Sequence, residues 1–311
     1  MDRRLVLAGL GAAAIPGAAK AQDDVPHWSA PVIDMHFHMR RDEAHNIAHQ
    51  TGAGVTAACL LTRAGAQTEV AQLQAARPGM FPCAMAGYDV TKPDAEKVLT
   101  AAVKAGARGI GELKYHVEAD GPEMRRIYAL CAELKVPVLI HFQEVSQAAA
   151  GGTYNAGIKR FAAVARAFPN TRFILHADAF WGNISADYDN SNPYPTGPIV
   201  PGGISDRLLS DFGNVQGDLA SNSGNNALSR DPAFTVDFLK RHQDRLHFGS
   251  DCNCDDGRGG GAAQNSERVA ARIRGKCVAR ETLKLLAAST TPEIFRKLTW
   301  TNAHRLMGLP V

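Results

Sequence analysis

Eight short apolar, β-branched runs alternate with helix-length amphipathic stretches along most of this chain, and that order admits few folds. The runs read as strands are Val32–Phe37, Val55–Thr62, Met80–Gly87, Ala107–Leu113, Val138–Phe142, Arg172–Ala177, Val215–Leu219 and Leu246–Ser250. Turn residues launch several of them: Pro-Gly before Met80, Val-Pro before Val138, Phe-Pro-Asn before Thr171 and Phe-Gly-Asn before Val215. Helices are expected over Asp94–Ala105, Pro122–Leu134, Ala156–Ala167 and Pro232–Arg241, with three more near Arg280–Ala288, Pro292–Leu298 and Asn302–Met307. In the second, Met124, Ile127, Tyr128, Leu130, Cys131 and Leu134 carry the spacing of a buried face. Eight strands joined by helical crossovers predict a single (β/α)8 TIM barrel over residues 22–311 and not two domains. Two interruptions, Trp181–Gly203 and Cys252–Asn265, are rich in turn residues and fall where such a barrel keeps its catalytic loops.

The N-terminus reads as a separate unit. Arg3-Arg4 precede the apolar run Leu5–Ile15, and Ala19-Lys20-Ala21 offers the small residues that a signal peptidase reads. The pair resembles a twin-arginine export signal, although Val6 stands where that signal usually has an aromatic residue. Residues 1–21 are therefore expected to be an export signal, the mature chain to begin near Gln22, and the destination to be the periplasm, with no stable membrane association once the signal is removed. The net charge of +3 falls further without that segment, which leaves no electrostatic footprint for nucleic acid. A small-molecule substrate is expected instead, and self-association into a homo-oligomer is left open.

Polar residues interrupt the apolar runs in a pattern that carries the chemistry. Asp-Met-His-Phe-His places His36 and His38 at the end of the first strand, on one face by the two-residue alternation. His141 ends the fifth run, His176 the sixth and Asp251 the eighth. A barrel keeps its catalytic groups at such C-terminal strand ends, where an ordinary core position would favour Val, Ile or Leu. Imidazoles with a carboxylate make a ligand set for a divalent ion, zinc being the expected one, with one or two ions bound. The fourth strand reads Gly-Ile-Gly-Glu-Leu-Lys-Tyr-His and puts Glu112 and Lys114 on the same face.

This set resembles the amidohydrolase superfamily, in particular its amidohydrolase-related (amidohydrolase 2) branch, over Pro31 to Leu309. The resemblance implies His36, His38, His141, His176 and Asp251 as metal ligands. The Gly-Glu of the fourth strand is similar to that of TatD-type hydrolases, which implies Glu112 as a further carboxylate ligand. In other members a carbamylated strand-four lysine bridges two metals. An unmodified Glu112 is favoured here, and Lys114 is then expected to bind an anionic part of the substrate. The implied activity is hydrolysis of a C–N or C–O bond (amide, lactone or ester) of a small polar molecule. Asp251 is then the proton shuttle, and His176 is a ligand or a stabiliser of charge on the substrate. A metal-dependent decarboxylase of the same family is the alternative, and a non-catalytic periplasmic metal-binding protein a third reading. His116, Asp218 and Arg258 are expected substrate contacts, with Ser221 and Asn222 weaker ones; His27, His45, His49, His242 and His304 receive no role, and His247 stays undecided. Cys59, Cys83 and Cys131 read as core residues. Cys252, Cys254 and Cys277 could form one loop-closing disulfide, the first expectation, or supply three soft ligands.

Overall fold

The computed structural model describes residues 25–147, 152–220, 222–261 and 271–310 of the 311. The expected export segment, Ser221 and the far end of the Cys252–Asn265 loop lie outside them. Among the described residues no helix is long and apolar enough to cross a membrane.

Among the described residues ten strands are present in chain order: β1 (Ile33–His38), β2 (Ala57–Arg63), β3 (Cys83–Gly87), β4 (Gly109–Leu113), β5 (Val138–His141), β6 (Gln143–Gln147), β7 (Gly152–Tyr154), β8 (Phe173–His176), β9 (Val215–Asp218) and β10 (Leu246–His247). Eight of them form one parallel sheet in the order β1-β2-β3-β4-β5-β8-β9-β10, a nearly closed (β/α)8 barrel, while β6 and β7 pair antiparallel above it. The helices are α1 (Glu43–Ala53), α2 (Gln67–Ala76), α3 (Ala95–Lys104), α4 (Pro122–Leu134), α5 (Phe161–Ala167), α6 (Asp178–Gly182), α7 (Ile204–Asp211), α8 (Asn222–Arg230), α9 (Pro232–Arg241), α10 (Val278–Ser289), α11 (Pro292–Arg296) and α12 (Asn302–Met307). Pro122 and Pro232 stand in the first turns of α4 and α9, where the missing N–H costs nothing.

Three elements depart from the expectation. The last strand shrinks to Leu246–His247, because Ser250 and Asp251 turn away to bond with the first strand. The β6–β7 pair grows out of the fifth strand after His141, where the sequence carries no clear turn signal. Helix α6 (Asp178–Gly182) is an element without a sequence expectation, and it takes in Trp181 and Gly182, the first two residues of the expected Trp181–Gly203 loop.

Two hydrophobic layers separate the barrel interior from its helical coat. Met85, Leu139 and Ile174 point inward and meet Leu306, Met307 and Leu309 at the end of the chain. Arg108 and Arg172, just ahead of β4 and β8, donate to the carbonyls of Met307, Gly308 and Leu306, so α12 stoppers the N-terminal mouth. Outward residues such as Ile110, Leu113 and Val138 pack with Leu99, Met124 and Ile127 of α3 and α4. The opposite mouth stays open for chemistry.

Plain alternation does not aim the site residues. Met35 lies in the inner layer and Phe37 in the outer one, although they are two residues apart. Ile110 and Leu113 both face outward although three residues apart. The pairing register shifts between Asp34 and Phe37 on β1, and again between Ile110 and Leu113 on β4. Each irregularity reverses the phase of its strand, which brings His36 and Glu112 to the inside. Gly111 permits this on β4: its φ of +142° and the 2.8 Å approach that a Cβ would make to Leu139 Cβ both exclude a side chain.

The seam between β10 and β1 is closed by a few bonds. Met35 N donates to Phe248 O at 2.9 Å and Asp251 N to His36 O at 2.9 Å. The buried Asp34 carboxylate accepts from Ser250 N at 2.8 Å, Ser250 Oγ at 2.5 Å and His36 N at 3.0 Å.

Candidate metal centre

Glu112 sits at the middle of the open mouth. Its Oε1 lies 2.5 Å from His141 Nδ1 and 2.6 Å from His176 Nε2. Its Oε2 lies 3.3 Å from His38 Nε2 and 3.8 Å from His36 Nε2. Asp251 closes the second group, with Oδ1 3.5 Å from His38 Nε2 and 3.8 Å from His36 Nε2. Among the described residues, besides the buried trio His36, His176 and Asp218, two sets of three donors result, one of His36, His38 and Asp251 and the other of Glu112, His141 and His176, each compact enough to hold an ion. The carboxylate of Glu112 spans the gap between them. The register of β5 on β8 places His141 directly beside His176.

Supporting contacts aim these ligands. His36 Nδ1 bonds Asp218 Oδ2 at 2.6 Å, and Asp218 Oδ1 in turn accepts from Ala220 N. With Nδ1 so engaged, His36 Nε2 is left facing the centre, buried and without a hydrogen-bond partner. A Cβ on Gly249 would lie 2.2 Å from Asp218 Oδ1 and 2.7 Å from His36 Cβ, so the pair fits only beside a glycine. On the other side, His141 Nε2 lies 3.3 Å from Gln143 Oε1, which leaves Nδ1 as the donor atom toward Glu112. Asn155 donates to the carbonyls of both Leu113 and His141 and ties β4 to β5 at this height.

The electrostatics suit a cation. Burial works against a charge on His36, yet Asp218, Asp251 and Glu112 together raise its pKa to about 10. Burial likewise opposes charge on His38, and Glu112 and Asp251 overcome it and raise its pKa. Burial alone would raise the Glu112 carboxyl, but His141, His176 and His38 hold it well below the usual carboxylate range. Burial pushes His141 down, toward the neutral imidazole that a metal requires. An orphaned buried imidazole nitrogen within a ring of carboxylates is what a cation site looks like without its ion, so the residues present fit a divalent metal.

The remaining predicted contacts scatter. Asp218 is buried behind His36, away from the position of a substrate contact, because its carboxylate is taken up by the imidazole. Lys114 is exposed with its Nζ 5.2 Å from the Tyr154 ring centroid, and among the described residues it forms no ion pair with Glu112. His116 stacks on the same ring at 4.3 Å and its Nδ1 is 2.8 Å from Thr153 O, so both residues build the wall shared with β6 and β7. Arg258 lines a different cleft, beside Ala44, Ile47 and Thr51 of α1, because its glycine-rich loop folds back over that helix. Asn222 opens α8, and Ser221 lies outside the described residues.

Sequence reasoning missed Gln143 and Asp178. Each follows a site histidine by two residues, the spacing that could have found them. Asp178 is buried at the start of α6, its Oδ2 has no partner, and burial raises its pKa to about 7. Also unforeseen is a cavity of about 480 Å³ beside the centre, lined by His38, Glu112 and Tyr115 together with Arg40, Arg41 and Arg63. Arg40 is engaged, donating to the carbonyls of His45 and Cys252 and lying 4.7 Å from the Phe37 ring centroid. Among the described residues Arg41 and Arg63 have no hydrogen-bond or ion-pair partner, and Glu69 adds an acidic group to the same wall.

Comparison of the sequence with protein-family models and with curated proteins gives no match. Solved structures do match. A putative 2-pyrone-4,6-dicarboxylic acid hydrolase from Pseudomonas putida superposes with a TM-score of 0.56 at 16% identity, over 90% of this chain and 98% of that one. An amidohydrolase from Burkholderia multivorans gives 0.56 at 14% identity, over 90% and 100% of the two chains. A 5-carboxyvanillate decarboxylase from Sphingomonas paucimobilis gives 0.53 at 12% identity, over 90% and 99%. At these identities the likeness establishes the shared barrel fold.

Proposed function

We propose that this protein is a metal-dependent hydrolase of the amidohydrolase superfamily, in its amidohydrolase-related branch, that opens a C–O or C–N bond of a small anionic molecule. The observation that carries the reading is the place of Glu112, one carboxylate between two clusters of histidines. His36, His38 and Asp251 would hold one divalent ion, and His141 and His176 a second, with Glu112 shared. Zinc suits such a nitrogen and oxygen donor set. An ion bound there supplies Lewis acidity and lowers the pKa of water. Asp251, partly open to the mouth, accepts the proton of the attacking water and returns it to the leaving group. Asp218 holds the His36 tautomer, and Gln143 does the same for His141.

Arg41 and Arg63, which line the cavity and have no hydrogen-bond or ion-pair partner among the described residues, support an anionic substrate. Guanidinium groups recognise carboxylates in a planar, paired geometry. Hydrolysis is favoured over decarboxylation because Glu112 already supplies an anionic ligand on the fourth strand. This agrees with the reaction named for the Pseudomonas structure, whereas the Sphingomonas structure carries the other.

The test compares protein purified without chelator with its Glu112→Gln variant, counting the ions lost per chain. Both are assayed on lactones and amides that bear a carboxylate, and on aromatic acids for release of carbon dioxide. Loss of bound ion together with ring or amide opening supports the reading. Carbon dioxide release without hydrolysis, or an unchanged metal count in the variant, overturns it.

A further inference from the structure

The three cysteines near the end of the barrel converge on His49, a histidine without a local sequence signal. Cys252 and Cys254 follow β10, Cys277 caps α10, and His49 comes from α1. All four are buried, and their donor atoms lie within 4.8 Å of one another. Cys252 Sγ is 3.3 Å from Cys254 Sγ and 3.9 Å from Cys277 Sγ, and Cys254 Sγ is 3.5 Å from His49 Nδ1. None of these thiols is bridged, so the expected loop-closing disulfide is replaced by an open cluster.

We propose that His49, Cys252, Cys254 and Cys277 form a closed Cys3His site for a structural zinc ion, separate from the centre at Glu112. The spacings argue for it. Around a tetrahedral zinc with bonds of about 2.3 Å to sulfur and about 2.0 Å to nitrogen, sulfur atoms stand roughly 3.8 Å apart and sulfur and nitrogen about 3.5 Å apart. The distances of 3.3, 3.9 and 3.5 Å in the structure lie close to those edges. A disulfide would instead need sulfur atoms about 2.05 Å apart. Four protein donors leave no open position, which marks a structural ion and not a catalytic one. Thiolates also select a softer ion than the nitrogen and oxygen donors around Glu112.

The contrast with the other cysteines is informative. Cys59 and Cys83 are neighbours across β2 and β3, but they belong to an apolar layer of Ile33, Met35, Leu61 and Leu139. Cys131 lies among the apolar residues beneath α4. Those three behave as small hydrophobic residues. His49 Nδ1 also lies 2.9 Å from Cys254 O, so an ion would take the place of that hydrogen bond, with the imidazole proton on the buried Nε2, which has no partner among the described residues. The ion joins three distant pieces of chain and fixes Cys252, the residue that follows Asp251.

The experiment uses the full-length protein loaded with cobalt(II) in place of zinc. Three thiolate ligands give a near-ultraviolet sulfur-to-cobalt charge-transfer band, which a centre made of histidines and carboxylates does not produce. The wild type is expected to show the band and Cys254→Ser/Cys277→Ser to lose it, together with one equivalent of metal per chain. Glu112→Gln is expected to keep it, so this result stands or falls apart from the hydrolase reading. If the double variant does not fold, the wild-type spectrum decides, accompanied by titration with a mercurial that displaces thiolate-bound zinc. Absence of the band in the wild type overturns the proposal. So does an intact mass, measured in denaturant without reductant, that reveals a disulfide among these cysteines.

Discussion

Asp218 Oδ2 lies 2.6 Å from His36 Nδ1, and this one bond decides which nitrogen of His36 faces the centre. Replacing Asp218 by Asn keeps the size of the side chain but removes the charge that holds the imidazole in that state. Metal affinity should fall by roughly 10–100-fold, the usual cost of losing such an outer partner. Isothermal titration of metal into stripped protein checks it. Wild-type affinity in the variant would remove Asp218 from the support of the site.

Glu112 faces both groups of histidines, so Glu112→Gln should disturb both at once. The expected loss of kcat/KM is at least about 100-fold. The variant should also bind fewer ions, by inductively coupled plasma mass spectrometry. Parallel losses in activity and metal are the expected signature.

Asp251→Asn should separate chemistry from binding. A positioned general base contributes about 10²–10⁴-fold. The fall should appear in kcat, with most of the metal retained. Full activity in this variant would end its assignment as proton shuttle.

Arg41 and Arg63 line the cavity and have no hydrogen-bond or ion-pair partner among the described residues. A charge-assisted hydrogen bond is worth about 1.5–3 kcal/mol, so Arg63→Ala should raise KM by roughly 10–100-fold for a carboxylate-bearing substrate and leave kcat near its original value. Steady-state kinetics on the acid and its neutral methyl ester checks this. Equal penalties for both compounds would remove charge recognition from Arg63.

His247 supplies the pH prediction. It is buried, its Nε2 is bonded to Gln216 Oε1, and its Nδ1 has no partner. Burial lowers its pKa from 6.5 to about 4. The native state therefore keeps it neutral, while the unfolded chain takes up a proton as pH falls below 6.5. Stability from this group is complete above pH 6.5 and is lost as pH falls toward 4, about 3 kcal/mol in all. Urea unfolding across that range should show a shallower acid slope in His247→Gln than in the wild type.

The barrel was legible in the sequence because strand runs, turn residues and crossover lengths all report on local structure. Six residues that the structure brings together were named from the sequence, His141, His176 and Asp251 at the ends of apolar runs, His36 and His38 by their two-residue spacing, and Glu112 by resemblance to a strand-four carboxylate. The aim of two of them was not legible. Strict alternation puts Met35 and Phe37 on one face, and a register shift that depends on the neighbouring strand separates them. Asp218 looked like a rim residue because the imidazole it supports, His36, stands 182 positions earlier in the chain. The Cys252, Cys254 and Cys277 cluster was half legible. Its fourth member, His49, is 205 positions from Cys254, on a helix whose role gives no local signal.

The seam between β1 and β10 has a consequence for synthesis. Asp34 and Ser250 are joined across 216 positions, and His36 and Asp251 meet through the same few bonds. A ribosome that has delivered the first seven parallel strands has therefore produced a cylinder with its closing stave missing. Five of the six candidate ligands are already present in that cylinder, but the carboxylate assigned to proton transfer is not. On the proposed mechanism, proton transfer would then await the closure of the seam that brings Asp251 beside His36.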